Sequence, residues 1–363
     1  MNDLIRMLNL GGFSDIEKKI MEDNKVDFNK AIGNLLKSSR KSLNLHKCYY
    51  CKNDISGFCN SHSVPAFCLR NIAESGEVAY SNALIDFPLL KGKKGVNQAG
   101  TFNLICRDCD KKVFADYENP DNYVNYPTPK MIAQIALKDN LKFISRRLLE
   151  KEMYEYMCQN YNLPEKIKNE KQYVIDLDLK EYVNGFNKAK KAVIKNWDNE
   201  YYICYYKKLN YVVPLAFQSS ISLTIGFNGD VINDVYNPSP KYSIKPIHIC
   251  IFPLKTESII MMFVDDGDKR YRKFYKQFNK LSLDKQLSTL TYILFAYSED
   301  VFFSKHISEE MKKCSELVAA SQVTQDILSL TPNFNPLEEA RLNLDLSNST
   351  DIPNLLSEQY QLS

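Results

Sequence analysis

The sequence predicts an α+β protein in which helices come first, a cysteine-rich region follows, and a mixed helical and antiparallel-sheet domain completes the chain. Three observations indicate this fold class. Apolar residues recur at three- and four-residue steps near the N-terminus, which is typical of helices. Two Cys-x2-Cys pairs, "CYYC" and "CRDC", enclose a stretch of short strand and loop patterns. Beyond Tyr201 the sequence turns to β-branched and aromatic runs such as "YYICYY" and "ESIIMMFVDD".

The first half of the chain opens with a predicted helix over about residues 14–45, in which Ser14 and Glu17 form a capping box. The cysteine-rich region follows, with a strand at "VAYSNALIDF" and a basic loop at "KGKKGVNQAG". A further helix is expected to begin at the second cysteine pair.

The second half begins with a long helix, because Thr128 has N-cap chemistry and Pro129 suits the first helical position. It is expected to end at Pro164, and a charged linker then leads to another helix. Two strands, "KPIHICIFPL" and "ESIIMMFVDD", resemble a hairpin, and His248 is expected to pack or to line a sheet face there. The predicted units are an N-terminal helical segment (1–45), a cysteine-rich module (46–125), a helical and β-rich domain for recognition or regulation (126–330), and a loosely ordered tail (331–363).

Composition is that of a globular protein, with 44% hydrophobic and 25% charged residues among 363. No run approaches the 18 apolar residues of a transmembrane helix, and the N-terminus does not resemble a signal peptide. Of the ten cysteines, four form the two pairs and six are scattered. In a reducing compartment this pattern indicates metal thiolates and free thiols, so a cytoplasmic protein without a membrane partner is expected.

Charge is concentrated around the cysteine pairs. The whole chain carries +3, whereas residues 31–115 contain twelve Lys or Arg and six Asp or Glu, a net +6. A local basic excess beside a metal motif suits a polyanion such as nucleic acid. Ordinary surface lysines are the alternative.

The cysteine pairs themselves predict a tetrahedral zinc site formed by Cys48, Cys51, Cys106 and Cys109. Each pair supplies two thiolates, and four thiolates leave no open coordination position. The ion is therefore expected to be structural and to stabilise the fold of this region.

Between the pairs lies "SHSVP", and Asp110 follows the last cysteine directly. This order resembles the zinc-containing HNH, or ββα-metal, endonucleases of bacterial phage-defence and restriction systems, which use a treble-clef frame. The resemblance covers roughly residues 46–120. It implies a zinc-bound HNH-like nuclease module in which His62 is the general base and Asp110 binds a catalytic Mg²⁺ or Mn²⁺. Phosphodiester hydrolysis needs such a base and a hard cation.

The sequence departs from the family pattern at two places. Ser61 stands where many members have an acid, and Asn103 lies three residues before Cys106 rather than about five. Glu118 is therefore a candidate second ligand of the catalytic ion. The alternatives stay open: His62 is a structural or zinc-bound histidine, Asp110 caps its helix, and Glu118 is a solvated helix residue.

The resemblance and the charge together imply a metal-dependent endonuclease that hydrolyses nucleic acid, DNA more than RNA, in anti-phage defence or restriction. One alternative is a catalytically inactive zinc module that binds nucleic acid or protein, and another is an RNA-cleaving effector with the same site. The C-terminal domain is expected to contact a protein partner or a second copy. The candidate nucleic-acid contacts are Lys91, Lys93, Lys94, Arg107 and Lys111.

Overall fold

Helices and antiparallel strands build the chain in the computed structural model, which describes residues 15–43, 45–81, 92–328 and 335–362. The helices are α1 (Asp15–Asp23), α2 (Lys25–Ser42), α3 (Ala66–Ile72), α4 (Arg107–Val113), α5 (Pro129–Tyr161), α6 (Glu165–Lys195), α7 (Arg272–Phe278), α8 (Leu283–Tyr297), α9 (Lys305–Lys313), α10 (Ser315–Leu328) and α11 (Pro336–Asn343). The strands are β1 (Ser61–His62), β2 (Glu77–Tyr80), β3 (Lys93–Gly95), β4 (Thr101–Phe102), β5 (Tyr201–Leu209), β6 (Leu215–Ile221), β7 (Ile247–Pro253), β8 (Ser258–Asp265) and β9 (Phe302–Phe303). Across these ranges, no helix combines the length and the apolar character that crossing a bilayer requires.

A seven-stranded antiparallel sheet, in the order β3-β2-β9-β6-β7-β8-β5, organises the fold. The predicted hairpin is present as β7 and β8, with Ile251 opposite Ile260. In β7, Ile249 and Ile251 belong to one hydrophobic core, whereas Cys250 belongs to the other. Because both faces are covered, the central strands are almost continuously apolar.

The two cores have different partners. One face of the sheet packs against α8, α10 and the C-terminal residues, including Leu290, Leu317 and Leu355. The other face packs against α5, α6 and the cysteine-rich region, including Ile135, Phe186 and Leu69. The second face therefore carries the candidate metal centre.

The long helix α5 begins as predicted, since the Thr128 side chain accepts a hydrogen bond from the Met131 backbone N–H at 3.3 Å. It ends at Asn162, which adopts a left-handed conformation with φ 52°. The predicted charged linker is wrong, because α6 starts directly after Pro164. Charges of opposite sign at helical spacing, such as the pair of Lys168 with Glu165 at 2.9 Å, are compatible with an exposed helical turn.

The described part of the C-terminal tail is packed, contrary to the expectation of a loosely ordered segment. Leu344, Leu346 and Leu356 are buried in the first core. Leucines recur often enough in this polar segment to bury apolar area and hold it on the sheet. Strands β2 and β3 of the cysteine-rich module also join the main sheet through β9, so the sheet spans the predicted division at residue 125.

Candidate metal centre and the adjoining charged cluster

Four cysteines, Cys48, Cys51, Cys106 and Cys109, form a cluster that could hold a metal ion such as zinc. Their sulfur atoms all lie within 4.8 Å of one another. A tetrahedral zinc tetrathiolate with Zn–S bonds of about 2.3 Å places its sulfurs about 3.8 Å apart, so only a small contraction is needed. Cys48 and Cys51 lie in a turn, and Cys106 is the N-cap of α4.

Backbone geometry favours a thiolate at Cys48, whereas burial raises the pKa of the Cys106 and Cys109 thiols. The Cys106 N–H donates to Cys48 Sγ at 3.3 Å, and the Cys109 N–H donates to Cys106 Sγ at 3.4 Å. Burial opposes ionisation of Cys48, but backbone N–H bonds, with Cys51 first among the donors, outweigh it and lower the thiol pKa to about 7. Metal ligation requires deprotonated thiols, so a thiophilic ion held by these four sulfurs would displace the remaining thiol protons.

Beside the cluster lies a fully buried ammonium group, that of Lys138 on α5. Its Nζ atom is 2.8 Å from Asp110 Oδ1 and 2.9 Å from Glu118 Oε1. It also donates to Ser61 Oγ at 2.9 Å, and the Ser61 hydroxyl donates to Asp110 Oδ1 at 2.6 Å. The aromatic face of Phe114 covers the ammonium, with Nζ 3.8 Å from the ring centroid. Asp110 and Glu118 are thus brought together around a lysine.

The carboxylate of Asp110 is held ionised by these contacts. Burial opposes its ionisation, but Lys138 outweighs that effect and keeps the Asp110 pKa below its usual range. Burial and the Asp110 charge raise the pKa of the neighbouring Cys59 thiol to about 11. The N-cap of α4 is Cys106, so Asp110 does not cap the helix.

The predicted base, His62, is half-buried in the short strand β1 and lies opposite Thr101 of β4. Its Nε2 atom lies 3.0 Å from the Val96 carbonyl oxygen, which can only accept, so Nε2 carries the proton. In the neutral ring the lone pair is therefore on Nδ1. Because consecutive strand residues face opposite sides, His62 points away from the side on which Ser61 meets Asp110. The structure does not bring His62 and Asp110 into one cluster.

Asn103, directly after β4, connects that end of the strand to the segment before β1. Its Nδ2 atom donates to the Cys59 carbonyl oxygen at 3.0 Å and to Asn60 Oδ1 at 2.8 Å. Gly100 closes the turn before β4 with φ +62°, and a Cβ there would lie 2.8 Å from Phe302 Cζ. These contacts fix β4 against β1.

The predicted nucleic-acid contacts lie at two places. Lys93 and Lys94 are exposed on β3, an edge strand of the main sheet, whereas Lys91 lies outside the described residues. Arg107 and Lys111 are exposed on α4. The structure gives no contact between the two pairs.

A basic cavity of about 330 Å³ adjoins β3, and Lys94, Arg40 and Arg146 line it. Asp300 is paired there with Lys142 at 3.0 Å and with Arg146 at 2.9 Å. Arg40 belongs to the basic window of residues 31–115, but neither it nor Arg146 was a predicted contact, because they come from α2 and α5, far in sequence from the lysine-rich loop. Tertiary packing alone brings the cations together.

Lys138 is the most consequential residue that sequence reasoning missed. A signal was present, because Gln134, Lys138 and Lys142 recur every four residues within "MIAQIALKDNLKFI", a stretch that is apolar apart from these three, Asp139 and Asn140. This spacing places three polar groups on one side of a buried helix, where each requires a partner.

A comparison of the chain with protein-family models, with curated proteins and with solved structures finds no match.

Proposed function

We propose that this protein is a zinc-binding, nucleic-acid-binding protein whose HNH-like frame is not catalytic. The observation that carries the proposal is the Lys138 ammonium between Asp110 and Glu118. That location is the one in which the family resemblance implies a catalytic divalent cation. DNA is the favoured polyanion and RNA the alternative.

The zinc part of the proposal is supported by the four-cysteine donor set. Zinc prefers a tetrahedral thiolate environment, and the cluster offers four sulfurs within 4.8 Å of one another. A turn pair, a short two-stranded sheet and a helix-start pair follow one another in the order of a treble clef. A tetrathiolate ion has no open position, so its role is structural.

The positive charge of Lys138 disfavours a catalytic metal ion at Asp110 and Glu118. A divalent ion bound by both Asp110 and Glu118 would meet the ammonium that lies 2.8 and 2.9 Å from their oxygens. Lys138 is buried and cannot move into water without rearrangement of α5, and its ammonium also donates to Ser61. The lysine therefore supplies the neutralising charge that the ion would supply, but it offers no Lewis acid and no activated water.

Nucleic-acid binding is supported by the basic edge of the sheet. Lys93 and Lys94 lie on exposed β3, where an extended phosphate backbone can be contacted. The adjoining cavity adds Arg40, whereas the Arg146 charge there is already paired with Asp300. Arginine and lysine side chains of this kind contribute mainly sequence-independent affinity.

Fluorescence anisotropy with labelled single-stranded DNA, duplex DNA and RNA at several salt concentrations tests this proposal. The expected result is binding that weakens as salt rises. In the double variant Arg40→Gln, Lys94→Gln the log–log salt slope is expected to fall by about two, one for each phosphate that is no longer neutralised. Lys166→Gln is the control, since Lys166 is exposed on α6 and does not line the cavity. Absence of binding to all three nucleic acids at low salt would overturn the proposal, as would equal slopes in both variants.

Metal analysis tests the zinc assignment separately. We expect one zinc ion per chain in the wild type and loss of it in Cys106→Ser. Cys158→Ser is the matched control, because Cys158 lies on α5 outside the cluster. Metal-free wild type with four reduced cluster cysteines would contradict the assignment.

The second candidate function is the metal-dependent nuclease itself, and the tautomer of His62 favours it. A proton on Nε2 leaves Nδ1 free as a general base. Plasmid DNA and RNA are incubated with Mg²⁺ or Mn²⁺, and with a chelator, in the presence of wild type or His62→Ala. Our proposal expects no metal-dependent cleavage by either protein. Cleavage by the wild type that His62→Ala loses would establish the nuclease instead, and the substrate cut would separate DNA from RNA activity.

A further inference from the structure

A second histidine, His248, is buried against an aspartate, and the proposed function gives this pair no role. Its Nδ1 atom is 2.7 Å from Asp139 Oδ2, and the two side chains are only 4% and 1% exposed. The other carboxylate oxygen, Oδ1, accepts from Gln218 Nε2 at 3.0 Å. The ring stacks on Phe263 with centroids 4.4 Å apart and planes 2° apart. Both the rotamer of His248 and the orientation of its ring are therefore fixed.

These contacts assign the ring nitrogens. A carboxylate accepts hydrogen bonds, so in the neutral ring Nδ1 carries the proton and Nε2 carries the lone pair. Nε2 of His248 has no hydrogen-bond partner among the described residues. His248 lines a cavity of about 260 Å³ between the sheet and helices α5 and α6.

Ser220 lies directly opposite His248 in the antiparallel pairing of β6 with β7. Opposed residues share a face of the sheet, with Cβ atoms about 5 Å apart. Ser220 is half-buried, lines the same cavity, and its hydroxyl has no partner in the described part of the chain. The hydroxyl and Nε2 are not hydrogen-bonded here, but such catalytic contacts often form only when substrate is bound.

We propose that Ser220 and His248 are the catalytic residues of a hydrolytic site for a small, uncharged carboxylic ester, with Asp139 as the positioning residue. The charged groups on the cavity wall favour an uncharged substrate, because most of them already have partners, Glu181 through the Ile244 backbone N–H at 2.9 Å. Lys188 lies 3.2 Å from Asp265, and Asp178 accepts from Arg147 at 2.9 Å. A cavity of about 260 Å³ also limits the substrate to a small molecule.

The reaction would follow the two steps of covalent acyl transfer. Ser220 Oγ attacks the ester carbonyl carbon while Nε2 of His248 takes the hydroxyl proton. The C–O bond to the alcohol breaks, and His248 returns the proton to the leaving alcohol. Water then attacks the acylated serine, His248 takes a proton from it, and collapse releases the acid as that proton returns to Ser220 Oγ. One ester and one water thus give one acid and one alcohol.

The test uses the full-length protein, p-nitrophenyl acetate as ester, and a fluorophosphonate as covalent probe with the modified peptide located by mass spectrometry. We expect hydrolysis in the wild type and modification of Ser220. Ser220→Ala is expected to lose both, with a rate at least about 100-fold lower, and His248→Asn to lose the same activity. Ser222→Ala is the control, since Ser222 lines the same cavity but lies beyond the residues of β6 that pair with β7.

Two readouts separate catalysis from structure. Ser220→Ala removes only a half-buried hydroxyl, so its melting temperature is expected to match the wild type even if His248→Asn fails to fold. Asp139→Asn is expected to lower kcat for the ester and leave KM unchanged. Unfolded protein does not produce this result when kcat is calculated per titrated active site. No reaction of the wild type with either reagent would overturn the proposal, and so would equal modification or hydrolysis in Ser220→Ala.

Discussion

Replacement of Lys138 by methionine is the most direct perturbation of the charged cluster. The substitution keeps a long apolar stem but removes the ammonium that contacts Asp110 and Glu118. Loss of one partner of a buried ion pair costs about 3–5 kcal/mol, because the remaining charge is left uncompensated. The two carboxylate side chains retain 18% and 29% exposure, so water can solvate them in part. We therefore expect a cost near the lower end, about 3 kcal/mol.

The assay is thermal unfolding at neutral pH with the metal content of each sample measured. An unfolding entropy of about 2.1 cal/mol/K per residue over 363 residues gives roughly 0.76 kcal/mol/K. A loss of about 3 kcal/mol then lowers the melting temperature by roughly 4 °C if the chain unfolds cooperatively.

A second ion pair on the same helix provides the control. Lys130 lies 2.9 Å from Asp116, but the two side chains are 43% and 41% exposed. Lys130→Met is expected to cost less than about 1 kcal/mol, roughly 1 °C. Asp110→Asn combined with Lys138→Met is expected to cost less than the sum of the single variants, since the pair is coupled. Equal, small shifts for Lys138→Met and Lys130→Met would refute the assignment of Lys138 as the neutralising charge.

Two further predictions concern Asp300 in the basic cavity and the packing of α6 against α5. Burial opposes ionisation of Asp300, but Arg146 and Lys142 together outweigh it and hold the pKa of Asp300 well below its usual range. The stabilising effect of this carboxylate is thus complete above about pH 5 and is lost as pH falls further. Urea midpoints measured from pH 6 to pH 2 should therefore fall more steeply in the wild type than in Asp300→Asn, and parallel curves would contradict this. Gly185→Ala would place a Cβ 2.5 Å from Asn140 Oδ1, whereas the same change at Gly33 meets nothing within 4 Å. Thermal unfolding is expected to show that Gly185→Ala lowers the free energy of unfolding by about 1–3 kcal/mol. Gly33→Ala is expected to raise it by up to about 1 kcal/mol. The reverse order would show that α5 and α6 pack less closely than described.

Local chemistry accounts for what the sequence could predict. Thr128 and Pro129 mark the start of α5 because capping and proline geometry act within one turn. The two cysteine pairs indicate the metal cluster because each pair is a short-range motif. The hairpin of β7 and β8 was predictable for the same reason, since its strands are joined by a tight connection.

What could not be predicted depends on long-range packing. Strand β9 joins β2 to the central sheet, and no local signal links segments so distant in sequence. The side on which His62 projects follows from the register of β1 with β4, which a histidine in a loop-like context does not reveal. In sequence, Lys138 looks like an ordinary polar residue of an amphipathic helix, and only the structure shows that residues 131–139 are all buried.

The buried polar residues of α5 explain how the two halves of the molecule keep one relative arrangement. Lys138 reaches the cysteine-rich module, whereas the next residue, Asp139, is turned by about 100° and reaches His248 on the sheet. One turn further, Lys142 meets Asp300 beside β9. A shift of α5 by one residue would leave all three of these charges buried without partners, at a cost of several kcal/mol each. An apolar helix could slide at far smaller cost, so these ion pairs specify the register in which the metal cluster, the basic cavity and the Ser220 cavity are assembled.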